Sequence, residues 1–390
     1  MRVLICGAGI GGLALALLLG RLGWETEVVE RASGVREEGY MIDFFGPGFE
    51  AAEAMGLLPR LRQLAYPVDK LNYVDRNGRP RASLDYQRMA RSLDGRLLSL
   101  LRGDLARAIY EDLSAPVKVR FASSVREVEQ TPDEVLVTLT DGRRWSGDLL
   151  VGADGIHSTV RELVFGPEST YLRYLNFHTA AYTFADDVLG DRLGDQFAMT
   201  DSVDRAVGLY AIRNGRIAVF TVHRTSDATL PKDPRAAIKS TYADLGWLVP
   251  EALTHCPSAS ALYYDQVSQI EMPTWSRGRV ALLGDACQAV SLLAGQGASL
   301  AVAAAHVLAG ELGRTPTVPQ ALARYQSRLA SVVAEKQAAG RRTTQWFLPT
   351  TPGRLALRRL ALRAMRLPGL DHLISGRLIA GGGGPSQFSD

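Results

Sequence analysis

Residues 2–30 read RVLICGAGIGGLALALLLGRLGWETEVVE, and this stretch decides the fold of the chain. An apolar run at residues 2–6 predicts a short buried strand, and residues 13–22 have the composition of a helix. Residues 24–29 predict a second strand, with Glu30 at its end. The order strand, glycine-rich turn, helix, strand is the βαβ unit typical of an α/β protein.

The turn of this unit has the spacing G-x-G-x-x-G. Gly7 permits a tight turn, Gly9 lets the backbone approach a pyrophosphate, and Gly12 lets the helix pack closely on the strand. The free N–H groups at the start of the helix favour phosphate oxygens. Glu30, 23 residues after Gly7, can accept hydrogen bonds from ribose hydroxyls. The unit therefore predicts a dinucleotide site, without choosing between NAD and FAD.

Two later segments repeat the transition from a buried strand into a glycine-containing loop. Residues 148–153 predict a strand that runs into GADGIHSTVR at residues 152–161. Residues 278–283 predict another strand, which is followed by GDACQ at residues 284–288 and AGQGAS at residues 294–299. A long alanine-rich helix comes next, so three such loops punctuate the chain.

Taken in order, these motifs resemble those of the FAD-dependent aromatic monooxygenases of the p-hydroxybenzoate hydroxylase family, over most of residues 1–330. Residues 39–58 are also similar to the tetracycline-inactivating monooxygenases of that family. The resemblance implies an α/β fold, in which a Rossmann-like FAD-binding domain interleaves with a mainly antiparallel-sheet substrate domain and C-terminal helices follow. The expected division assigns residues 1–70, 101–170 and 276–340 to the FAD-binding domain, 71–100 and 171–275 to the substrate domain, and 341–390 to a cationic helical region and tail.

The same resemblance assigns residues to the FAD site. Gly7, Gly9 and Gly12 would hold the pyrophosphate, and Glu30 the adenosine ribose. A helix N-terminus at the flavin pyrimidine ring would stabilise the negative charge of reduced flavin near N1. The other implied positions are Arg36 near the adenosine side, Arg102 toward the phosphate or flavin side, Asp154 and Gly155 at the FAD and nicotinamide approach, Asp285 near the ribityl chain or pyrophosphate, and Gly295, Gly297 and Ala298 at the pyrimidine ring.

The chain departs from the family pattern close to that last helix. The family usually has His where Gln288 stands, Pro near Ser291 and Leu292, and Asn where Ser299 stands. A loop without proline is less constrained in its backbone. The departures fall beside the flavin and over the expected substrate position, and they leave the predicted FAD site intact.

The family's activity gives the expected function. NAD(P)H would reduce FAD, and O2 would add to form a C4a-hydroperoxyflavin that hydroxylates an electron-rich aromatic substrate such as a phenol, enol or indole. Only one G-x-G-x-x-G is present, so NADPH or NADH is expected to bind transiently. No metal site is predicted. Two alternatives stay open: a flavin-dependent dehydrogenase or reductase on the same fold, and a redox-silent protein that binds FAD and a ligand.

The middle of the chain predicts antiparallel strands. Residues 206–224 form a hairpin pattern around Asn214-Gly215, a strong turn signal. A two-residue turn would place Tyr210 opposite Val219 and put Tyr210 and His223 on one face of the sheet. That face is the predicted substrate wall, with Tyr210 and His223 as candidate contacts; simple core packing of both is the alternative. Further strands are predicted at residues 71–85, 177–184 and 261–270.

Composition limits the class of partner and the compartment. The 390 residues hold 44 Lys and Arg against 41 Asp and Glu, a balance that does not favour nucleic acid. Three distant cysteines, among them an apolar Cys6, form neither a metal-ligand spacing nor a disulfide framework. The uncharged residues 3–20 could be mistaken for a signal peptide or membrane span, but their glycines argue against both. We therefore expect a cytoplasmic protein.

The last fifty residues differ in charge from the rest. Residues 341–390 contain eight arginines and two acids, a net charge of +6. Leucines alternate with arginines there and predict an amphipathic cationic helix. We favour a helix that packs over the other domains with a solvated arginine face, although binding to a membrane surface is the alternative. Residues 381–390 are expected to form a loose tail. The arginines of the predicted helix are Arg354, Arg358, Arg359, Arg363 and Arg366.

Overall fold

A computed structural model describes residues 1–36, 40–194 and 196–364, apart from the side chains of residues 260, 294, 343–346 and 364. Its helices are α1 (Ile10–Arg21), α2 (Pro47–Ala54), α3 (Leu58–Leu64), α4 (Tyr86–Ser92), α5 (Arg102–Glu111), α6 (Thr159–Phe165), α7 (Asp187–Leu193), α8 (Pro234–Tyr242), α9 (Val249–Thr254), α10 (Asp285–Gln288), α11 (Gly297–Arg314), α12 (Val318–Phe347) and α13 (Pro352–Ala364). Its strands are β1 (Arg2–Cys6), β2 (Glu25–Val29), β3 (Met41–Phe45), β4 (Lys70–Val74), β5 (Pro80–Asp85), β6 (Leu97–Leu101), β7 (Val117–Arg120), β8 (Val125–Gln130), β9 (Val135–Leu139), β10 (Arg144–Gly147), β11 (Leu149–Gly152), β12 (Leu172–Ala185), β13 (Phe197–Ser202), β14 (Arg205–Ile212), β15 (Arg216–Arg224), β16 (Tyr263–Ile270), β17 (Ser276–Arg277) and β18 (Val280–Leu282).

A six-stranded sheet carries the glycine-rich loops. Its order is β17-β18-β11-β1-β2-β7, and all its strands are parallel except the edge pair β17-β18. Strands β18, β11 and β1 are direct neighbours, and each runs into one of the three predicted loops. Since parallel strands end at the same edge of a sheet, the three loops lie side by side. The fold therefore assembles the site from distant parts of the sequence.

A second large sheet has the order β16-β12-β15-β14-β13-β4-β5. It is antiparallel except for the parallel pair β13-β4, which joins residues 70–74 to residues 197–202. The short sheet β3-β6 and the three-stranded sheet β10-β9-β8 complete the strands of the described residues. The predicted α/β fold, with a mainly antiparallel second sheet and C-terminal helices, is confirmed.

The register predicted for the hairpin β14-β15 is wrong by one residue. Its connection contains three residues, so Ile212 pairs with Arg216 and Tyr210 pairs with Ala218 rather than Val219. The backbone takes left-handed φ angles of 64° at Asn214 and 65° at Gly215. Because side chains alternate between the faces of a strand, the shift puts Tyr210 and His223 on opposite faces. The prediction that they share one face is therefore also wrong.

The uncharged segment near the N-terminus is an internal helix. Most side chains of α1 are buried, including Leu13, Leu15 and Leu19, and α1 packs against the alanine-rich α11. A helix covered on nearly all sides reads as apolar throughout. None of the helices in the described residues combines the length and apolar character that crossing a membrane requires.

The cationic C-terminal helix α13 packs on the edge of the second sheet at β5. Arg358 is only 3% exposed, and its guanidinium lies 4.8 Å from the ring centre of Tyr73. Arg358 and Arg359 both contact the buried carboxylate of Asp201. The predicted packing is observed, but the expected solvated arginine face is wrong for these two side chains, because the sheet supplies them with a counter-charge. Arg366 and the predicted tail lie outside the described residues.

This contact predicts a measurable loss of stability. Asp201→Asn removes the negative charge between Arg358 and Arg359, so we expect the free energy of unfolding to fall by about 2 kcal/mol. Urea denaturation measures this change. Asp191→Asn, at an exposed position of α7, serves as the control and should change it by less than about 0.5 kcal/mol. Equal stabilities for the two variants would show that the pairing contributes nothing.

Candidate active site

A cleft of about 1000 Å3, including its open mouth, lies where the three glycine-containing loops meet. It also borders β3, the start of α5 and the start of β16. Of the residues predicted for a cofactor, Gly9, Arg102, Gly155, Asp285, Gly295, Gly297 and Ala298 line this cleft. Segments separated by almost 300 residues thus contribute to one cavity.

The three glycines of the first loop meet different requirements. Gly7 has a φ of +110°, and a Cβ atom there would collide with the carbonyl of Ala153. A Cβ atom on Gly12 would collide with the carbonyl oxygen of Gly7. Around Gly9 no atom lies within 4 Å of the position a Cβ atom would take, so its backbone faces open space. The structure thus explains Gly7 and Gly12 by packing and leaves Gly9 accessible from the cleft.

Glu30 lies next to this loop. Its carboxylate accepts hydrogen bonds from the backbone N–H groups of Ala8 and Ala32, both at 2.9 Å. The acid is therefore fixed at the end of β2, beside the first glycine loop. Arg36 is exposed on the loop that follows β2 and is not among the residues of the cleft wall.

In the second loop, the side chain of Asp154 turns away from the cleft. It accepts hydrogen bonds from the Ser158 hydroxyl at 2.5 Å and the Val160 N–H at 3.1 Å, so it fixes the start of α6. Burial raises the pKa of Asp154. Gly155, with a φ of +86°, forms part of the cleft wall. Asp154 therefore fixes the loop to the start of α6, whereas the adjacent Gly155 contributes backbone to the cleft wall.

Arg161 joins the second loop to the third, a role that the sequence did not reveal. Its side chain is fully buried and donates hydrogen bonds to the carbonyl oxygens of Ala286 at 3.0 Å and Ile156 at 2.7 Å. It also forms an ion pair with Glu168 at 2.7 Å. The sequence shows only that an arginine follows Asp154 by seven residues, which does not indicate that its side chain is buried.

Opposite charges face the cleft at Asp285 and Arg102. The Asp285 side chain can be reached from the cleft, and protein surrounds it on its other sides. The surrounding protein keeps water away from the carboxyl group and raises its pKa, whereas the charge of Arg102 lowers the pKa. Arg102 begins α5, and its backbone N–H donates to the carbonyl of Tyr40 at 3.2 Å. An acid and a base on one wall suit a ligand that carries both hydroxyl and phosphate groups.

The N-terminus of α11 also opens into the cleft. Gly295 has a φ of +66°, and Gly297 and Ala298 begin this 18-residue helix at the cleft wall. Unpaired backbone N–H groups there present partial positive charge to a bound group.

The residues that depart from the family pattern have local partners. Gln288 donates to the Tyr325 hydroxyl at 2.6 Å, and the Ser299 hydroxyl accepts from the Phe45 N–H at 3.3 Å. Ser291 has a φ of 105°, unusual for a residue with a side chain, and lines the cleft.

Known proteins resemble this chain over most of its length, and several of their names include flavin or FAD. The sequence profile of the FAD binding domain family matches residues 1–339. The chain belongs to the FAD-dependent monooxygenases. A flavin-dependent monooxygenase of Legionella longbeachae is 29% identical over 354 residues, which cover 89% of this chain and 90% of the relative. An uncharacterized protein of Mycobacterium tuberculosis is 36% identical over 320 residues, which cover 80% of this chain and 84% of the relative.

The structural comparison extends over nearly the whole monooxygenase. The crystal structure of tetracycline destructase Tet(51) matches with a TM-score of 0.79 and 27% identity, covering 93% of this chain and 96% of that one. The family resemblance predicted from the three glycine-containing loops is thus confirmed.

Aromatic side chains form the cleft wall of this monooxygenase on the side of the second sheet. The ring of Tyr40 lies 6.0 Å from that of Phe220 and 6.1 Å from that of Tyr263, and both tyrosines line the cleft. Burial raises the pKa of Tyr40 to about 12, so its hydroxyl is a neutral donor near neutral pH. No local pattern in the sequence indicates this group, because its members come from three separate segments.

The two predicted substrate contacts lie elsewhere. Tyr210 is buried behind the wall, where its hydroxyl accepts a hydrogen bond from the Met41 N–H. His223 lies on the opposite face of the sheet, with its Nδ1 atom 2.9 Å from the Tyr242 hydroxyl. Burial lowers the pKa of His223 to about 4, which keeps its ring neutral. Neither residue belongs to the cleft wall, and contact of either with substrate stays a prediction.

His157 links the second loop to the second sheet. Its Nε2 atom lies 3.2 Å from Asp265, which lines the cleft, and its Nδ1 atom lies 3.0 Å from Glu168. The hydrogen bond to Asp265 is the largest cause that raises the pKa of His157 to about 9, and Glu168 raises it further. The imidazolium therefore joins the second loop to strand β16 of the second sheet.

This raised pKa predicts a pH-dependent contribution to stability. Protonated His157 stabilises the folded protein fully below its ordinary pKa of 6.5, and the contribution is lost as pH rises through about 9. We expect the melting temperature of the wild type to exceed that of His157→Gln at about pH 6, and the difference to shrink toward zero by about pH 10. Thermal melts at both pH values measure it. A constant difference would contradict a charged His157.

Proposed function

We propose that this protein is an NAD(P)H- and O2-dependent flavin monooxygenase that hydroxylates an electron-rich aromatic or polycyclic small molecule. One observation carries the proposal: the three glycine-containing loops meet at a single cleft, together with Arg102, Asp285 and the N-terminus of α11. The balanced reaction consumes the substrate, O2, NAD(P)H and a proton, and yields the hydroxylated product, NAD(P)+ and water.

The residues of the cleft fit an extended dinucleotide. The open backbone at Gly9 leaves room for a pyrophosphate beside the first helix, and Glu30 is fixed where an adenosine ribose would follow. The charges of Arg102 and Asp285 suit phosphate oxygens and ribityl hydroxyls respectively. Gly7, Gly12 and Asp154 are proposed to shape the loops that hold the nucleotide, with Arg36 near its adenosine side. Gly155 would line the approach to FAD, and Gly295, Gly297 and Ala298 would face the pyrimidine ring.

The protein's own contribution is to bind, orient and exclude water. When bound, FAD would take a hydride from NAD(P)H and supply activated oxygen from O2. Tyr40 and Tyr263 line the cleft with tilted aromatic rings, and Phe220 packs against Tyr40, so a ring substrate can contact an aromatic surface there. The neutral Tyr40 hydroxyl can donate a hydrogen bond to a substrate oxygen. An enclosed, apolar site suppresses the wasteful release of H2O2.

The family assignment and the aromatic wall together support the substrate class. The tetracycline destructase that shares this fold is named for a polycyclic substrate, and stacking against several aromatic side chains suits fused rings. A dehydrogenase or reductase on the same fold, or a redox-silent FAD protein, would use the same cofactor cleft without transferring oxygen.

The experiment begins with purified protein. We expect released FAD in a ratio near one per chain, followed by consumption of NADPH or NADH that polycyclic phenols or indoles stimulate. Mass spectrometry should find a product that is heavier than the substrate by one oxygen atom. When 18O2 is supplied, this product should contain one 18O atom. Substrate turnover without oxygen gain would favour a dehydrogenase, whereas bound FAD with no NAD(P)H consumption would favour the redox-silent alternative. Unchanged FAD content in both Glu30→Ala and Asp285→Ala would contradict the proposed contacts.

A further inference from the structure

Lys336 is a buried cation behind the loop that leads into α11. It lies on α12, is 6% exposed, and its Nζ atom donates a hydrogen bond of 2.5 Å to Oε1 of Gln296. Gln296 stands between Gly295 and Gly297, which both line the cleft. A lysine on a distant helix thus contacts the segment proposed to face the flavin pyrimidine ring.

The surroundings of Lys336 do not neutralise its charge. Among the described residues no carboxylate forms an ion pair with it, and the acid that acts on it is its neighbour Glu335, whose side chain is exposed. Burial lowers the pKa of Lys336. A buried ammonium group without a counter-charge costs free energy. Such a group is tolerable where a negative charge develops during the function of the protein.

Neighbouring contacts hold this part of α12 in place. Gln337 donates hydrogen bonds to the carbonyl oxygens of Ile270 at 2.7 Å and Ala289 at 3.1 Å. Gln269 in turn donates to Val290 and to the backbone of Gln337, both at 2.8 Å. The loop at residues 289–296 is therefore attached to α12 near both of its ends. The ammonium group keeps a fixed position relative to the cleft, as electrostatic stabilisation requires.

We propose that Lys336 is a positioning residue that places a fixed positive charge behind Gln296 and thereby raises the reduction potential of the bound flavin. The inference rests on the proposed function, which places the flavin pyrimidine ring at Gly295, Gly297 and Ala298. Reduction puts negative charge on that ring, and a cation in a region of low dielectric constant stabilises it more than it stabilises the oxidised form. The helix N-terminus of α11 acts in the same direction.

The test compares flavin potentials in purified FAD-loaded protein. Lys336→Met removes the charge and keeps most of the volume, so we expect the ratio of reduced to oxidised flavin at a fixed potential to fall about tenfold, which corresponds to about 30 mV for a two-electron couple. Sulfite, which adds to oxidised flavin and leaves it negatively charged, should bind about tenfold more weakly. Lys232→Met makes the same change at an exposed site and should alter neither quantity.

Two further variants separate charge from packing. Lys336→Arg keeps the charge and should keep the potential, whereas Lys336→Gln removes it and should behave like Lys336→Met. Loss of FAD from the two neutral variants alone, with Lys336→Arg retaining both FAD and potential, would also support a role for the charge. An unchanged potential in a neutral variant, or loss of FAD from all three, would overturn the inference. Wild-type protein without FAD would instead contradict the proposed function itself.

Discussion

Gly9→Val should leave the protein folded and weaken FAD binding by at least about 100-fold, or about 2.7 kcal/mol. The backbone at Gly9 has an extended conformation, with a φ of −76° and a ψ of 179°, which valine adopts readily. No protein atom lies within 4 Å of the new Cβ position, so the apoprotein has room for the side chain. That room is the space in which we place the pyrophosphate, and the two methyl groups would fill it.

The measurement combines FAD titration by fluorescence quenching with urea denaturation of the apoprotein. Gly190→Val provides the matched control, since Gly190 also has open space around it but lies on α7, away from the cleft. Gly12→Val should instead destabilise the apoprotein, because its Cβ atom would meet the carbonyl oxygen of Gly7. Normal FAD affinity in Gly9→Val would show that the pyrophosphate lies elsewhere.

The part of the site that sequence could predict is the part that strand topology fixes. Each glycine-containing segment followed a recognisable buried strand, and parallel strands end at a common edge. Gly9, Gly155 and Asp285 could therefore be placed together once the strands were identified. The strands predicted at residues 71–85, 177–184 and 261–270 also belong to the second sheet.

The strand register and the aromatic group could not be predicted, because they depend on the exact turn length and on contacts between distant segments. One additional residue in the turn after Ile212 reversed the relation between Tyr210 and His223, since each step along a strand changes the face. The aromatic wall joins Tyr40 from the start of β3 to Phe220 and Tyr263 from two other strands. The group exists because the segment just before β3 packs against the second sheet.

Buried charges were the least predictable group. Arg358 has the spacing of a surface residue on an amphipathic helix, yet Asp201 and the ring of Tyr73 surround it. Lys336 and Arg161 likewise occur in segments whose composition is that of exposed helices. Long cationic side chains are usually solvated, and only the tertiary structure shows which of them have buried partners.

Arg161→Met should lower the free energy of unfolding by about 3 kcal/mol, since it removes a fully buried guanidinium and leaves its two carbonyl partners without a donor. The carbonyl oxygens of Ile156 and Ala286 would each lose a donor, and Glu168 would lose its guanidinium. Arg126→Met is the control, because Arg126 is exposed and pairs with exposed Glu127. The free energy of unfolding should change there by less than about 1 kcal/mol. Urea denaturation of both apoproteins gives the comparison.

The same substitution should weaken FAD binding beyond its effect on stability. Ile156 adjoins Gly155 in the second loop, and Ala286 adjoins Asp285 in the third, so Arg161 sets the spacing between two cleft walls. We expect Arg161→Met to lower FAD affinity about tenfold at temperatures where the apoprotein is fully folded, because a site that must be reordered binds its ligand less tightly. Arg161→Lys keeps the positive charge, but a single ammonium group lacks the planar guanidinium that donates to both carbonyl groups. We therefore expect Arg161→Lys to restore the free energy of unfolding more fully than the FAD affinity. Full FAD affinity in a destabilised Arg161→Met would mean that the arginine holds the fold together without shaping the cleft.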